Sequence, residues 1–336
     1  MTQPTSVNMT FDTSLVDLAP ESHRYDQSPR INTSFSTTES DPSDVGPYLA
    51  QGTPITQQTG LNQTTPTPSQ ITSIPKTSTP VQHIPTQEAY NQWASIYDSD
   101  GNMLQSMDDI EIEWLLPTLL ARVLITQSGS LNLLDLGCGT GRNTAKLLSY
   151  AWPKDRKVNI VALDFSEGML NIAAKKLTSI PRDAANVTLR LEKCDCFPTV
   201  HDPSASPLPA VQNLQLVDAI TSTLVLEHIP LRDYFSTLAS LVVKDGLALV
   251  TNMHSEMGRI SQAGFINEQG VKVRGESYAY TPEETVEEAK KAGFEVLELK
   301  ERKMEKRDVE SGLVGERGLK WVGINVWYGL LLKKIV

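Results

Sequence analysis

Leu131 to Thr144 reads LNLLDLGCGTGRNT, and its interpretation decides the fold. Leu133, Leu134 and Leu136 make an apolar run too short for a helix and interrupted only by Asp135, the pattern of a central strand in a parallel sheet. Gly137, Gly139 and Gly141 follow at once. Lacking Cβ atoms, they let the chain turn sharply and approach a ligand closely, and backbone N–H groups are expected to line the turn. A short helix through Ala145, Leu147, Leu148 and Ala151 then runs to Pro153, and Val158 to Leu163 (VNIVAL) is a second buried strand ended by Asp164. Strand, glycine turn, helix, strand and terminal acid form the nucleoside crevice of a doubly wound α/β sheet, in which the acid accepts hydrogen bonds from a ribose diol.

The same alternation continues towards the C-terminus. Ser166 caps a helix through Met169, Ala173 and Leu177; Val187 to Leu191 is strand three, and Val217 to Leu226 (VDAITSTLVL) is strand four. Leu231, Phe235, Leu238 and Val242 mark a helix stopped by Asp245-Gly246, after which Leu247 to Thr251 is strand five. Thr281-Pro282-Glu283-Glu284 opens a further helix as a capping box, and Gly293 closes it. Phe294 to Leu299 and Trp321 to Leu332 lack a crossover helix between them and should pair antiparallel, giving seven strands, mostly parallel with an antiparallel last strand.

On the N-terminal side, Asp108 to Thr126 is expected as an amphipathic helix with Ile110, Trp114, Leu115, Leu119 and Val123 on its buried stripe despite Pro117. Tyr90, Trp93 and Tyr97 are spaced to share one helical face. Residues 1–86 are rich in Ser, Thr, Pro and Gln and short of large apolar side chains, so they are expected to be a disordered extension, with 87–336 as the folded domain.

The 336 residues carry a formal charge of −10, which gives no support for a nucleic-acid footprint. Three cysteines are too few and too badly spaced for a zinc site or a disulfide framework. Trp114 to Ile125 contains Pro117 and Arg122 and falls short of the roughly 18 apolar residues of a membrane span. Met1 to Thr10 lacks the basic start and apolar run of a secretory signal. The expectation is a cytoplasmic protein, with the nucleus left open, acting without nucleic acid or membrane; the sequence does not specify an oligomeric state.

LLDLGCGTGRNT, VALDFSEGML, the acid in KCDCFP and VDAITSTLVLEHIP, in this order, resemble successive motifs of class I S-adenosylmethionine-dependent methyltransferases, over about Tyr90 to Val336. The resemblance implies S-adenosyl-L-methionine as cofactor. Asp135 and the turn Gly137, Cys138, Gly139, Thr140 and Gly141 would hold its methionine portion, Asp164 the ribose hydroxyls, and Phe165, Met169, Asp195 and Cys196 the adenine side, with Leu224 beside the cofactor. Tyr90 and Tyr97 resemble an N-terminal aromatic lid of the ubiquinone and menaquinone biosynthesis branch; for Trp93, core packing is an equal reading. A nicotinamide-dependent dehydrogenase uses the same crevice, but its G-x-G-x-x-G pattern needs glycine where this chain has Arg142. A cofactor-binding regulator without catalysis stays open.

Methyl transfer needs donor and acceptor aligned rather than an enzyme nucleophile. Where the acceptor is a hydroxyl or a protonated amine a general base is required; His228 is the first candidate and His254 the second, each set against a structural role. Glu227-His228 supplies two potential metal ligands, fewer than a magnesium site needs, so no metal is assigned. The cover of the acceptor site is moderately apolar through Met253, Met257, Ile260, Phe265, Tyr278 and Tyr280. A small-molecule acceptor methylated on oxygen or nitrogen, in specialised metabolism, is therefore expected, with protein methylation as the alternative.

Overall fold

The computed structural model describes residues 81–180 and 186–336. The expected disordered extension lies outside the described residues up to position 80, but residues 81–86 do not fit it. They carry β1 (Val81–His83) and the start of α1 (Thr86–Trp93). There follow α2 (Met103–Thr126), β2 (Leu131–Leu136), α3 (Arg142–Ser149), β3 (Val158–Asp164), α4 (Glu167–Thr178) and β4 (Val187–Lys193). The second half contains β5 (Val217–Thr223), α5 (Leu231–Leu241), β6 (Val242–Met253), α6 (Ser255–Ile260), β7 (Gly264–Ile266) and β8 (Lys272–Arg274). It ends with α7 (Pro282–Lys291), β9 (Phe294–Lys303), α8 (Lys306–Glu310) and β10 (Asn325–Lys334).

Seven strands form one sheet in the order β4-β3-β2-β5-β6-β10-β9. Only β10 runs antiparallel, pairing with β6 on one side and β9 on the other. The strand order reverses direction at β2, which pairs with β3 on one edge and β5 on the other, so a crevice opens beyond the carboxyl ends of β2 and β5. Alternation along β2 divides the core. Leu131 and Leu133 pack with Leu115, Leu119 and Val123 of α2, whereas Leu134 and Leu136 pack with Tyr234, Phe235 and Leu238 of α5 on the opposite face. Side chains buried to this degree each contribute roughly 1.5–3 kcal/mol.

Several sequence-based boundaries shift for local reasons. α2 begins at Met103 because Asn102 caps it, accepting hydrogen bonds from the N–H groups of Leu104 and Gln105. Its buried stripe includes Leu115, Leu119 and Val123 as expected, but Trp114 is 65% exposed and two acids, Asp108 and Glu111, face inward. Glu111 is held by Lys300 and Arg302 of β9, which is why a carboxylate takes a position that periodicity would give to an apolar residue. Pro117 and Glu113, four residues before it, are both exposed, so the carbonyl that loses its helical partner faces water. α5 stops at Leu241; Val242 already begins β6, and Asp245, at φ 63°, lies in an irregular stretch of that strand instead of ending a helix. The capping box of Thr281 and Glu284 forms as read, and Gly293 turns the chain at φ 86°.

A small second sheet, β1-β8-β7, was not anticipated. Its strands have three residues each, too few for a period of two to be visible. Packed beneath it are Ala89 and Trp93 of α1, with Trp93 stacked on Phe265 of β7 at 5.5 Å. Among the described residues no helix is long and apolar enough to cross a membrane.

Asp108 joins four elements. From α2 its carboxylate pairs with Arg142 at the start of α3 and accepts hydrogen bonds from Thr251 Oγ1 of β6 at 2.6 Å and Trp327 Nε1 of β10 at 2.8 Å. Removing one member of a buried pair leaves the other charge uncompensated, at a cost of about 3–5 kcal/mol. Because Asp109 also contacts Arg142, at 2.8 Å, Asp108→Ala should destabilise the fold by about 3 kcal/mol, the lower end of that range, as read from the midpoint of urea unfolding.

Candidate active site

The glycine turn is held together mainly by its own amides. The N–H groups of Gly137 and Cys138 both donate to the carbonyl of Leu163, at 2.8 and 2.9 Å, and Gly141 N–H donates to Cys138 O at 2.9 Å. Gly139 N–H donates to Asp164 Oδ2 at 2.8 Å. Backbone N–H groups do line the turn, and these four are taken up within the protein, three by the end of β3 and one by Cys138. What the turn offers is closeness. Gly137 and Gly139 lie at φ 74° and 53° and face the crevice; a Cβ on Gly137 would sit 2.5 Å from Val225 Cγ2, whereas nothing lies within 4 Å of one on Gly139.

Beyond the turn is a cleft of about 1000 Å³, at the upper end of the range for small-molecule sites. Asp164 forms one lip. It is 6% exposed, and its carboxylate accepts the N–H of Gly139 through Oδ2 and that of Ser166 through Oδ1, each at 2.8 Å. Burial raises its pKa to about 6 against the pull of these two donors, so Asp164 ionises within reach of neutral pH while still facing the cleft. Phe165 and Met169 continue that wall, with Asp195 and Cys196 beyond β4. Asp195 Oδ1 accepts the N–H of Phe197 at 3.0 Å, a local turn that points the loop into the cleft.

The opposite wall is aromatic. Tyr90 on α1 packs edge-on to His228, ring centroids 5.3 Å apart, and lies 6.0 Å from Tyr97 and 6.5 Å from Phe165. Its hydroxyl is 2.7 Å from His228 Nε2. The other ring nitrogen, Nδ1, lies 2.6 Å from the carbonyl of Glu276. A carbonyl only accepts, so Nδ1 carries hydrogen, and in the neutral ring Nε2 is the acceptor for the Tyr90 hydroxyl. Burial opposes a charge on this ring, but Glu227, with Oε1 3.4 Å from Nε2, and the carbonyl of Glu276 outweigh it and hold the His228 pKa above the usual histidine value.

β5 ends at Thr223, short of the expected Leu226, because Leu224 adopts φ 55° with its N–H bonded to Thr251 O at 3.0 Å. A leucine in the left-handed region is strained, and such residues gather at functional sites. This one lines the cleft.

Of the residues singled out from sequence, Tyr90, Tyr97, Gly137, Gly139, Asp164, Phe165, Met169, Asp195, Cys196, Leu224 and His228 come together around one space. Others support it from behind. Asp135 lies under the turn, accepting the hydroxyls of Thr144 at 2.5 Å and Thr221 at 3.1 Å, and so ties β2 to α3 and β5. The Cys138 side chain packs against Ala162 and Leu170. Thr140 donates to Asp98 at 2.6 Å within an ion pair to Lys176, and a Cβ on Gly141 would press on Ala173 and Leu177 at 3.2 Å. His254 does not reach the cleft. Its Nδ1 caps α6 by accepting Glu256 N–H, and its Nε2 lies 3.0 Å from Glu301, which corrects its assignment as a base.

Missed by the sequence was Gln87, which donates to the Phe165 carbonyl at 2.6 Å; a lone glutamine carries no motif that periodicity would reveal. Within the expected cover, the backbone from Glu276 to Tyr278 fixes the loop of Glu227 and His228.

A profile of the methyltransferase domain family matches residues 134–248, which include the glycine turn, Asp164 and His228. An uncharacterized methyltransferase of Emericella nidulans is 41% identical over 268 residues, covering 74% of this chain and 91% of that protein. Among solved structures, an S-adenosylmethionine-dependent methyltransferase of Clostridium acetobutylicum aligns with 74% of this chain and 99% of its own, at 17% identity and a TM-score of 0.45. A putative one of Listeria monocytogenes aligns with 66% and 100%, at 15% identity and 0.42. With a relative of this identity and coverage, and with the glycine turn, Asp164 and seven-stranded sheet described above, the chain belongs to the class I S-adenosylmethionine-dependent methyltransferases.

Proposed function

We propose that this methyltransferase acts on a hydroxyl or amine of a small, partly apolar metabolite, bound in the same cleft as S-adenosylmethionine. Asp164 carries the reading: a nearly buried acid at the crevice lip, oriented by two backbone N–H groups and with lone pairs left for a ribose diol. Gly137 and Gly139 admit the methionine portion, and Phe165, Met169, Asp195 and Cys196 line the adenine side. A volume of about 1000 Å³ leaves room for an acceptor next to the cofactor. Among the described residues neither lysine nor arginine lines this cleft, which disfavours a phosphorylated or carboxylated acceptor.

The bound cofactor supplies a methyl group activated by its sulfonium. The protein's part is to align the acceptor, keep water out and accept a proton where the acceptor must lose one. Tyr90 and His228 suit that last role. As an acceptor hydroxyl attacks, its proton passes to the Tyr90 oxygen while the Tyr90 proton passes to His228 Nε2, and the Glu276 carbonyl holds the ring from the far side.

In calorimetry on the full chain, Asp164→Ala should weaken S-adenosylmethionine binding at least tenfold, since a charged hydrogen bond is worth about 1.5–3 kcal/mol. The wild type should show its own pH dependence. With a pKa of about 6 in the free protein, Asp164 is ionised above and protonated below that value, so affinity should fall about tenfold between pH 7.5 and pH 5, and Asp164→Asn should lack the effect. For the relay, ring nitrogen NMR should find neutral His228 protonated on Nδ1, and Glu227→Gln should lower its pKa because a neighbouring negative charge is removed.

A further inference from the structure

Behind the aromatic wall of the cleft lies a separate chamber of about 20 Å³. That volume holds one water-sized group. Tyr90, Tyr97, Leu224 and Gln262 line both spaces, so a ligand in the cleft is one side chain away from it. Two of the chamber's polar side chains each keep one buried oxygen without a hydrogen-bond partner. Glu227 is 3% exposed and its Oε2 makes no hydrogen bond; Ser261 is 6% exposed and its Oγ makes none. Burying a carboxylate oxygen without a partner is costly, and a bound polar or cationic group is one way to satisfy it.

The rest of the lining specifies the ligand's sign. Tyr90, Trp93 and Tyr97 stand with centroids 5.0–6.0 Å apart, their rings mutually inclined, and Met253, Met257 and Leu104 close the apolar side. Aromatic rings beside a carboxylate, with no lysine or arginine among the described lining residues, form an environment for a cation attached to an apolar body. A carboxylate or phosphate would meet Glu227 with nothing to neutralise it.

We propose that the chamber is an acceptor subsite for one protonated amino group, bound by Glu227 and Ser261 within the ring cluster of Tyr90, Trp93 and Tyr97. The assignment rests on the small-molecule reading above and narrows its acceptor to an amine-bearing compound with an apolar portion. It places the anchoring group only; the atom that receives the methyl is a separate matter. Glu227 is thereby a specificity residue, and its contact with His228 links occupancy of the chamber to the Tyr90–His228 pair.

The test uses the full chain saturated with S-adenosylhomocysteine, titrated calorimetrically with benzylammonium, benzyl alcohol and benzoate. The ammonium should bind at least tenfold tighter than the alcohol, and benzoate should not bind. Glu227→Gln should abolish the tenfold preference while leaving S-adenosylhomocysteine affinity within twofold. Met257→Phe, which adds volume on the apolar side of the chamber and leaves the carboxylate in the sequence, should also lose the ammonium and serves if Glu227→Gln fails to fold. Equal binding of ammonium and alcohol, or a preference that survives both substitutions, would mean that the chamber holds only water and would overturn the proposal. So would a Glu227→Gln protein weakened for S-adenosylmethionine but not for S-adenosylhomocysteine, since the carboxylate would then face the sulfonium. Failure of the wild type to bind S-adenosylhomocysteine would instead bring down the cofactor site on which the assignment rests.

Discussion

The pairing of Asp108 with Arg142 is the constraint from which the site's geometry follows. Arg142 is the first residue of α3, directly after the glycine turn, and Asp108 is fully buried in α2. Their pairing fixes where the turn ends, and the same carboxylate, by accepting Thr251 and Trp327, fixes β6 and β10 against α2. Arg142 also lies 3.4 Å from the Thr223 hydroxyl, and Asn143 donates to that hydroxyl at 2.7 Å, so the start of α3 is tied to the end of β5. The two strand ends that flank the crevice are therefore held by one charged network. Apolar residues of the same volume can stabilise a fold as well, but without directional bonds they do not fix one register of turn against strand.

That network explains why part of the architecture was legible in the sequence and part was not. The parallel strands, the Ser166 and Thr281 caps and the antiparallel last strand follow from local pattern, since periodicity and capping chemistry act within a few residues. The turn and Asp164 were legible for a related reason: glycine and a strand-terminal acid have few substitutes in a crevice of this kind. The stripe of α2 was misread because Asp108 and Glu111 point inward to cations that come from α3 and β9, far away in sequence. His254 is a second candidate base by sequence because it follows a strand at the correct end of the sheet, and of its two readings the third dimension selects the structural one, capping α6.

The cover is built on a different principle from the floor. Its strands are short, and bonds from its backbone tie it to α1 and to the turn after β5: Glu276 N–H to Thr86 Oγ1 at 3.2 Å, Tyr278 N–H to Glu227 O at 2.7 Å. Gly275 is required by closeness, since a Cβ there would come within 3.0 Å of Thr86 Oγ1 and 3.1 Å of its Cα. The floor carries the glycine turn and the strand-terminal acid, whereas the cover lies outside those motifs. It is accordingly the part whose sequence carries the weakest pattern.

Leu224 joins floor to cover. A left-handed leucine costs on the order of 1–3 kcal/mol, and it persists only because its surroundings over-determine it. Its N–H is bonded to Thr251, the residue that also donates to Asp108, so the strain is held by the same network that fixes the turn. From Leu224 the chain makes a short 3₁₀ turn, Leu226–His228, secured by His228 N–H to Val225 O at 3.0 Å. This presents Glu227 to the chamber and His228 to the cleft from adjacent positions. An extended continuation of β5 would have sent these two side chains to opposite faces of the sheet. The strained residue thus converts a strand end into a platform that presents a carboxylate and an imidazole side by side, and rigid placement of this kind is what an alignment-driven transfer requires of its protein.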